Sequence, residues 1–284
     1  MVAKLAGLLG VCSWSLRPTS PADLVKRVRA CGLRAVQLGL EPIRSGLWDL
    51  HETSEALAEA RIDILSGMLE TQGEDYSSLA SIRTTGGLRP DSRWDANRAR
   101  AERVAWIAEA LGMELVTFHA GFISHDPNDP ERATMIERLR VVADIFADRG
   151  VRLALETGQE TAETLADLLD DLDRESVGVN FDPANMILYG MGEPVDAFRL
   201  LLPRVVQVHL KDATRAMSEG EWGDEVAVGR GEVGWQAFGE VLASAGRPID
   251  ALFEREAGEQ RESDIRHGIA VIESVESFRG YVRG

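Results

Sequence analysis

Four residues in the second half of the chain have the types and spacing of a metal-dependent site: Glu156, Asp182, His209 and Glu254. Each lies at or near the C-terminal end of a short apolar run: Arg152–Thr157, Val177–Asp182, Val205–Leu210 and Ala251–Arg255. A lone glutamate in such a place is ordinarily a capping or salt-bridging group. Three carboxylates that converge repel one another and raise each other's pKa values. A divalent cation removes that conflict, and an oxygen-plus-imidazole ligand set suits Mn²⁺, the first choice here, with Mg²⁺, Co²⁺ or Zn²⁺ as alternatives.

For the four to converge, the chain must place their runs side by side. Earlier runs of the same kind occupy Leu8–Trp14, Ala35–Leu40, Ile64–Leu69 and Leu115–Ala120. Between the eight lie amphipathic stretches: Pro21–Ala30, Asp49–Arg61, Ala96–Leu111, Glu131–Arg149, Ala162–Leu172, Val195–Leu201 and Trp235–Ala245, with a last one near Ser263–Tyr281. Several end at a glycine suited to a left-handed C-cap: Gly32, Gly112, Gly150 and Gly246. Eight strand–helix pairs with no linker or low-complexity tract predict one α/β domain over residues 1–284, a single (β/α)8 TIM barrel.

Alternation along each strand then sorts the side chains. Leu153, Leu155, Val179, Phe181, Val208, Leu210, Ala251 and Phe253 face the helices. Thr117, His119, Ala154, Glu156, Gly178, Asn180, Asp182, Gln207, His209, Lys211, Leu252, Glu254 and Glu256 face the barrel interior. The four candidate ligands therefore sit inward, on consecutive strands, at equivalent heights. Two strand-to-helix connections are long, Glu70–Asp95 and Lys211–Gly234, and both emerge at the C-terminal mouth where barrel enzymes carry their chemistry. The first holds Tyr76, Arg83, Arg89 and the pair Gly86-Gly87, and is a candidate lid over a small polar ligand; a solvated surface loop is the plainer reading.

Composition narrows the function classes. The 284 residues include 31 Lys+Arg against 47 Asp+Glu, a formal charge of −16, which argues against a nucleic-acid partner. No apolar run reaches the roughly 18 residues of a membrane span. Two cysteines, Cys12 and Cys31, make no disulfide framework, so a cytoplasmic setting is the default. The stretch Leu5–Cys12 reads as a buried first strand rather than an export signal, since only Lys4 precedes it and Val11 is a poor residue before a cleavage site.

The strings Leu155-Glu156-Thr157-Gly158-Gln159, Phe181-Asp182-Pro183-Ala184-Asn185, Val208-His209-Leu210-Lys211-Asp212 and Phe253-Glu254-Arg255-Glu256 resemble the xylose isomerase-like barrel superfamily. Within it they look most like the sugar phosphate isomerase/epimerase group, which includes ketose 3-epimerases and inosose dehydratases. Val116–Gly121 and Val228–Val233 fit the same pattern, and the likeness runs over essentially the whole chain. It implies that Glu156, Asp182, His209 and Glu254 bind one divalent metal ion. It also implies that Asn185, at a position often histidine in relatives, touches substrate. The nuclease branch holds extra histidines; this chain has five in all and reads Gly223-Asp224-Glu225 where an Asp-x-His pair would stand. Dimers and tetramers are common in the group, so a homodimer or homotetramer is expected.

The chemistry expected of this ligand set is proton transfer through a metal-stabilised cis-enediolate, with Glu156 and Glu254 as the catalytic acid and base on opposite sides of a sugar carbon. Return of the proton to the opposite face gives epimerisation, and return to the next carbon gives isomerisation. Loss of a β-hydroxyl gives dehydration. The reading is an isomerase or epimerase of a small sugar or keto-sugar, with a lyase acting on inosose-like or 3-keto-glycoside substrates as the alternative. Further substrate-binding candidates are Trp14, His119, Gln159, Lys211, Arg230 and Glu256. Trp14 is either an apolar wall or core filling, Lys211 stabilises an oxyanion or neutralises Asp182 and Glu256, and Glu256 orients Arg230 or a hydroxyl. His51 and His267 read as surface residues, and His125 is left open.

Overall fold

A computed structural model of the chain describes residues 7–218 and 220–283. Its centre is a ring of eight parallel strands: β1 (Leu8–Cys12), β2 (Ala35–Gly39), β3 (Asp63–Met68), β4 (Leu115–Phe118), β5 (Arg152–Glu156), β6 (Val177–Phe181), β7 (Val205–Leu210) and β8 (Asp250–Phe253). Neighbours in sequence are neighbours in the sheet, and β1 closes on β8 through the pairs Leu9–Ala251, Gly10–Leu252 and Val11–Phe253. Around the ring stand α1 (Pro21–Ala30), α2 (Leu50–Glu59), α3 (Trp94–Ala110), α4 (Pro130–Ala147), α5 (Ala162–Leu172), α6 (Pro194–Leu201), α7 (Trp235–Ala243) and α8 (Arg261–Ser274). The molecule is a single (β/α)8 TIM barrel. Lys4, Leu5 and Ala6, part of the expected first strand and its flank, lie outside the described residues.

Local chemistry starts these helices. Ser20, Asp49, Asp129 and Thr161 each cap a helix N-terminus by accepting a backbone N–H, and Pro21 and Pro130 occupy first-turn positions where no N–H is needed. The apolar layer between strands and helices holds the outward side chains: Phe118, Leu155, Phe181, Val208 and Phe253 are at most 1% exposed. Phe181, Phe198 and Phe238 stack there, with the last two centroids 4.3 Å apart. Each such ring removed from water stabilises the barrel by about 1.5–3 kcal/mol. Among the described residues, no helix is long and apolar enough to cross a membrane.

Three expectations need correction. The first strand stops at Cys12; Ser13–Leu16 is a 3-10 turn ended by Arg17 in the left-handed region at φ 48°. Asp182 lies beyond β6 as the N-cap of a short helix, Pro183–Leu188, where its Oδ1 accepts from Ala184 N and Asn185 N. The long connection after β3 is packed down at the pair Gly86-Gly87 rather than flexible there. Gly87 has φ 60°, and any Cβ there would fall 2.0 Å from the Ala120 carbonyl oxygen, so only glycine permits this approach. Leu88 N donates to that same carbonyl, and Asn97 Nδ2 donates to Gly87 O. The connection after β7 forms a small antiparallel ribbon, Asp212–Thr214 with Asp224–Val226. Buried Asp212 fastens the stretch between this ribbon and α7, accepting from Gly229 N, Val233 N and Trp235 Nε1.

Candidate metal centre

β5, the turn after β6, β7 and the turn after β8 bring Glu156, Asp182, His209 and Glu254 together. All four are buried, and one ligand atom from each lies within 4.8 Å of every other. His209 Nδ1 is 3.4 Å from Glu156 Oε1, 3.6 Å from Asp182 Oδ2 and 3.4 Å from Glu254 Oε2. These separations are long for hydrogen bonds. The two at 3.4 Å match the roughly 3.0–3.4 Å between two atoms that each sit about 2.1 Å from one ion, and the third is slightly longer. Asp182 Oδ2 and His209 Nδ1 are buried without a hydrogen-bond partner, and a native interior leaves few such atoms unpaired unless something else satisfies them. The donor set therefore fits a divalent cation.

The opposite ring nitrogen of His209 shows how the imidazole is aimed. Gln37 donates through Nε2 to Thr117 Oγ1 at 2.8 Å and to Gly67 O at 3.5 Å. That leaves its Oε1 as the acceptor 2.7 Å from His209 Nε2. A proton on Nε2 frees the Nδ1 lone pair for an ion. Asn180, whose Oδ1 accepts from Gln207 Nε2, donates to Glu156 Oε2 at 3.0 Å. Asn185, instead of standing free in the mouth, donates to Glu156 Oε1 and to Thr157 O. Trp14, just beyond β1, donates its indole N–H to Glu254 Oε1 at 2.7 Å.

Electrostatics follow from this crowding. Burial opposes the charge on Glu254, yet the Lys211 ammonium and His209 hold its carboxyl well below the usual range. Burial likewise opposes the charge on Glu156, and His119 and His209 bring it down. For Asp182 burial wins, and its pKa rises. His209 is pushed well above the ordinary histidine value, with burial opposing and Glu156, Glu254 and Asp182 favouring the imidazolium. The Cys12 thiol at 3.7 Å from its ring is raised by burial to about 12 and so stays neutral.

The remaining candidates are spread around the mouth. Lys211 Nζ donates to Glu254 Oε2 at 2.8 Å and Glu256 Oε2 at 3.1 Å, and lies 3.7 Å from Asp182. Glu256 is thus tied to Lys211, not to Arg230, which is exposed and makes no side-chain hydrogen bond among the described residues. His119 Nε2 is 3.6 Å from Glu156 Oε1, and Gln159 lines the cavity beside it. His125 bonds Thr164, away from the ion site, and His51 and His267 are exposed. Sequence reasoning missed Gln37, Glu74, Glu160 and Tyr189. Gln37 could have been found as the one polar residue inside the apolar run of β2; the other three lie outside the strands, where alternation gives no signal.

A family described as xylose isomerase-like TIM barrel matches residues 25–275. Among curated proteins the chain is 30% identical over 224 residues to the uncharacterized protein YihM of Escherichia coli (strain K12), covering 77% of this chain and 61% of that one. It is 30% identical over 122 residues to the 3-dehydroshikimate dehydratase of Bacillus anthracis, covering 41% and 43%. The chain thus spans about three fifths of one curated relative and under half of the other. Among solved structures, a xylose isomerase domain protein from Planctomyces limnophilus is 27% identical, with TM-score 0.82 over 88% of this chain and 91% of that one. Two others share the fold at lower identity. A Mycobacterium smegmatis barrel in complex with magnesium is 16% identical, with TM-score 0.74 over 99% of both chains. The 3-keto-D-glucoside 4-epimerase YcjR of E. coli is 15% identical, with TM-score 0.71 over 94% of this chain and 99% of that one. With a family profile covering most of its length and a closed eight-stranded ring beneath it, the chain belongs to the xylose isomerase-like TIM barrel family.

Proposed function

We propose that this protein is a divalent-metal-dependent isomerase or epimerase of a small keto-sugar. The observation that carries the reading is the convergence of Glu156, Asp182, His209 and Glu254 on one buried centre, with Asp182 Oδ2 and His209 Nδ1 otherwise unpartnered. A cation held there, Mn²⁺ by preference, supplies Lewis-acid polarisation of a carbonyl and offsets the charge that develops as the neighbouring carbon loses its proton. Asp182 and His209 are the pure holders. Glu156 and Glu254 come from strands three apart around the ring, so they reach the centre from different sides. One removes the proton and the other returns it to the opposite face. His119 stands beside Glu156 to bind a hydroxyl, and Lys211 beside Glu254 to hold that carboxylate ionised.

A second reading, a lyase that expels a β-hydroxyl from the same kind of substrate, draws support from the likeness to 3-dehydroshikimate dehydratase. Incubation with Mn²⁺ and a panel of ketoses and inososes in D₂O separates the two. Deuterium entering an epimer or isomer is the expected result, and a new enone absorbance assigns the lyase instead. Bound Mn²⁺ without exchange into any substrate overturns both.

A further inference from the structure

Resting on the proton-transfer reading above, we propose that the mouth takes an uncharged polyhydroxylated substrate and rejects one bearing phosphate or carboxylate, with Glu160 and the Glu74–Tyr76 pair contacting its hydroxyls. A cleft opens in the mouth beside Glu156. Its polar lining is Glu74, Tyr76, His119, Gln159, Glu160 and Tyr189, with Glu156 at its base, and it contains no lysine or arginine among the described residues. The cations nearest in sequence are engaged elsewhere. Lys211 bridges Glu254 and Glu256, Arg83 lies 3.9 Å over the Phe122 ring, and Arg89 pairs with Glu131.

Two of the acids are built for hydroxyl donors. Glu160 is only 4% exposed and lines the cavity, no other side chain among the described residues bonds its carboxyl, and burial pushes its pKa up to about 7. Glu74 is fixed from behind by Gly87 N, which donates to Oε1 at 2.9 Å, and from the side by the Tyr76 hydroxyl, which donates to Oε2 at 3.2 Å. That pairing holds the Tyr76 ring over the opening and leaves its oxygen free to accept. An ionised carboxylate can only accept and a protonated one also donates, so sugar hydroxyls, which do both, satisfy Glu74 and Glu160 in either state. A phosphate or carboxylate brought to the same wall meets the charge of Glu74 and Glu156, and no lysine or arginine of that wall offsets it.

The test uses the full chain. Mn²⁺ alone is titrated first by calorimetry; failure to bind overturns the proton-transfer reading and the substrate class with it. The loaded protein is then titrated with ketohexoses, each as the free sugar and as its 1- and 6-phosphate. At least one free ketohexose should bind, with its phosphates tenfold weaker or more. A phosphate that binds as tightly as its parent, or no free sugar binding at all, overturns the substrate class while leaving the metal result standing. Measured about one pH unit above the raised Glu160 pKa of about 7, where that carboxyl is ionised, Glu160→Gln should weaken the free sugar and narrow the gap to its phosphate about tenfold. Glu74→Gln should do the same to a smaller degree and serves if the first variant does not fold. An unchanged gap in the folded variants overturns the assignment of these residues.

Discussion

Two layers of the barrel interior, one above the other, solve the burial of polar groups in opposite ways. The lower layer is neutral: Ser66 donates to Gln207 at 2.6 Å, Gln207 to Asn180, and Asn180 up to Glu156, while Gln37 links Thr117 to His209. Every amide there is satisfied within the protein. The upper layer is ionic, with Glu156, Asp182, Glu254 and the half-exposed Glu256 against Lys211 and beside His209, and it is the layer that leaves Asp182 Oδ2 and His209 Nδ1 unpartnered. A closed neutral network beneath an open ionic one suits a cation site, because the lower layer fixes side-chain directions and the upper layer leaves ligand atoms free for coordination.

The contrast between the layers breaks first at the two carboxylates given proton transfer. Glu156→Gln or Glu254→Gln keeps the shape but removes both a base and a ligand charge, and should cut kcat by about 10²–10⁴ in steady-state assays with saturating Mn²⁺. A loss under tenfold in both would move the chemistry elsewhere in the mouth. Next comes Lys211→Met. In the metal-free protein it strips the cation from buried Glu254, and breaking such a pair costs about 3–5 kcal/mol. The midpoint of chemical denaturation after EDTA treatment should fall accordingly, and added Mn²⁺ should recover much of the loss by supplying the missing positive charge.

The neutral layer is tested by Gln37→Leu, which removes the acceptor at His209 Nε2 without touching a ligand. Metal affinity by calorimetry should drop about 10–100-fold, with kcat at saturating Mn²⁺ far less affected. That split distinguishes an orienting role from direct participation.

How much of this could be read beforehand divides along the same line. The ring and its order were legible because apolar runs and amphipathic stretches alternate with glycine punctuation, and β-alternation placed Glu156, His209 and Glu254 inward from single-residue parity. Asp182 was found by the same parity although it belongs to a helix cap, since its Cα continues the strand direction for one step. The features that stayed hidden depend on loops meeting other loops. Glu74 is fixed at the mouth by Gly87, which itself packs on the Ala120 carbonyl, a contact between connections about 30 residues apart that no local pattern encodes. Trp14's bond to Glu254 was hidden for a related reason, since β1 and β8 become neighbours only on ring closure.

The smallest expected effect is also the one where stability and metal binding move in opposite directions. In the metal-free protein the carboxylates raise the His209 pKa above its unfolded value of about 6.5. The stability this contributes is fully present below that unfolded value and is lost as pH rises through the folded one. Glu254, with a depressed pKa, contributes stability above the usual carboxylate range that is lost only in acid, so it does not act in this window. An ion must displace a proton from His209, so affinity for Mn²⁺ should climb about tenfold per pH unit over the range where metal-free stability declines. Thermal melts of the EDTA-treated protein and Mn²⁺ titrations from about pH 6.5 upward should therefore slope in opposite senses. Replacement by His209→Gln should flatten the melting trend while abolishing tight binding. Parallel slopes in the unmodified protein would mean that His209 is already neutral, and that the upper layer is balanced by Lys211 alone.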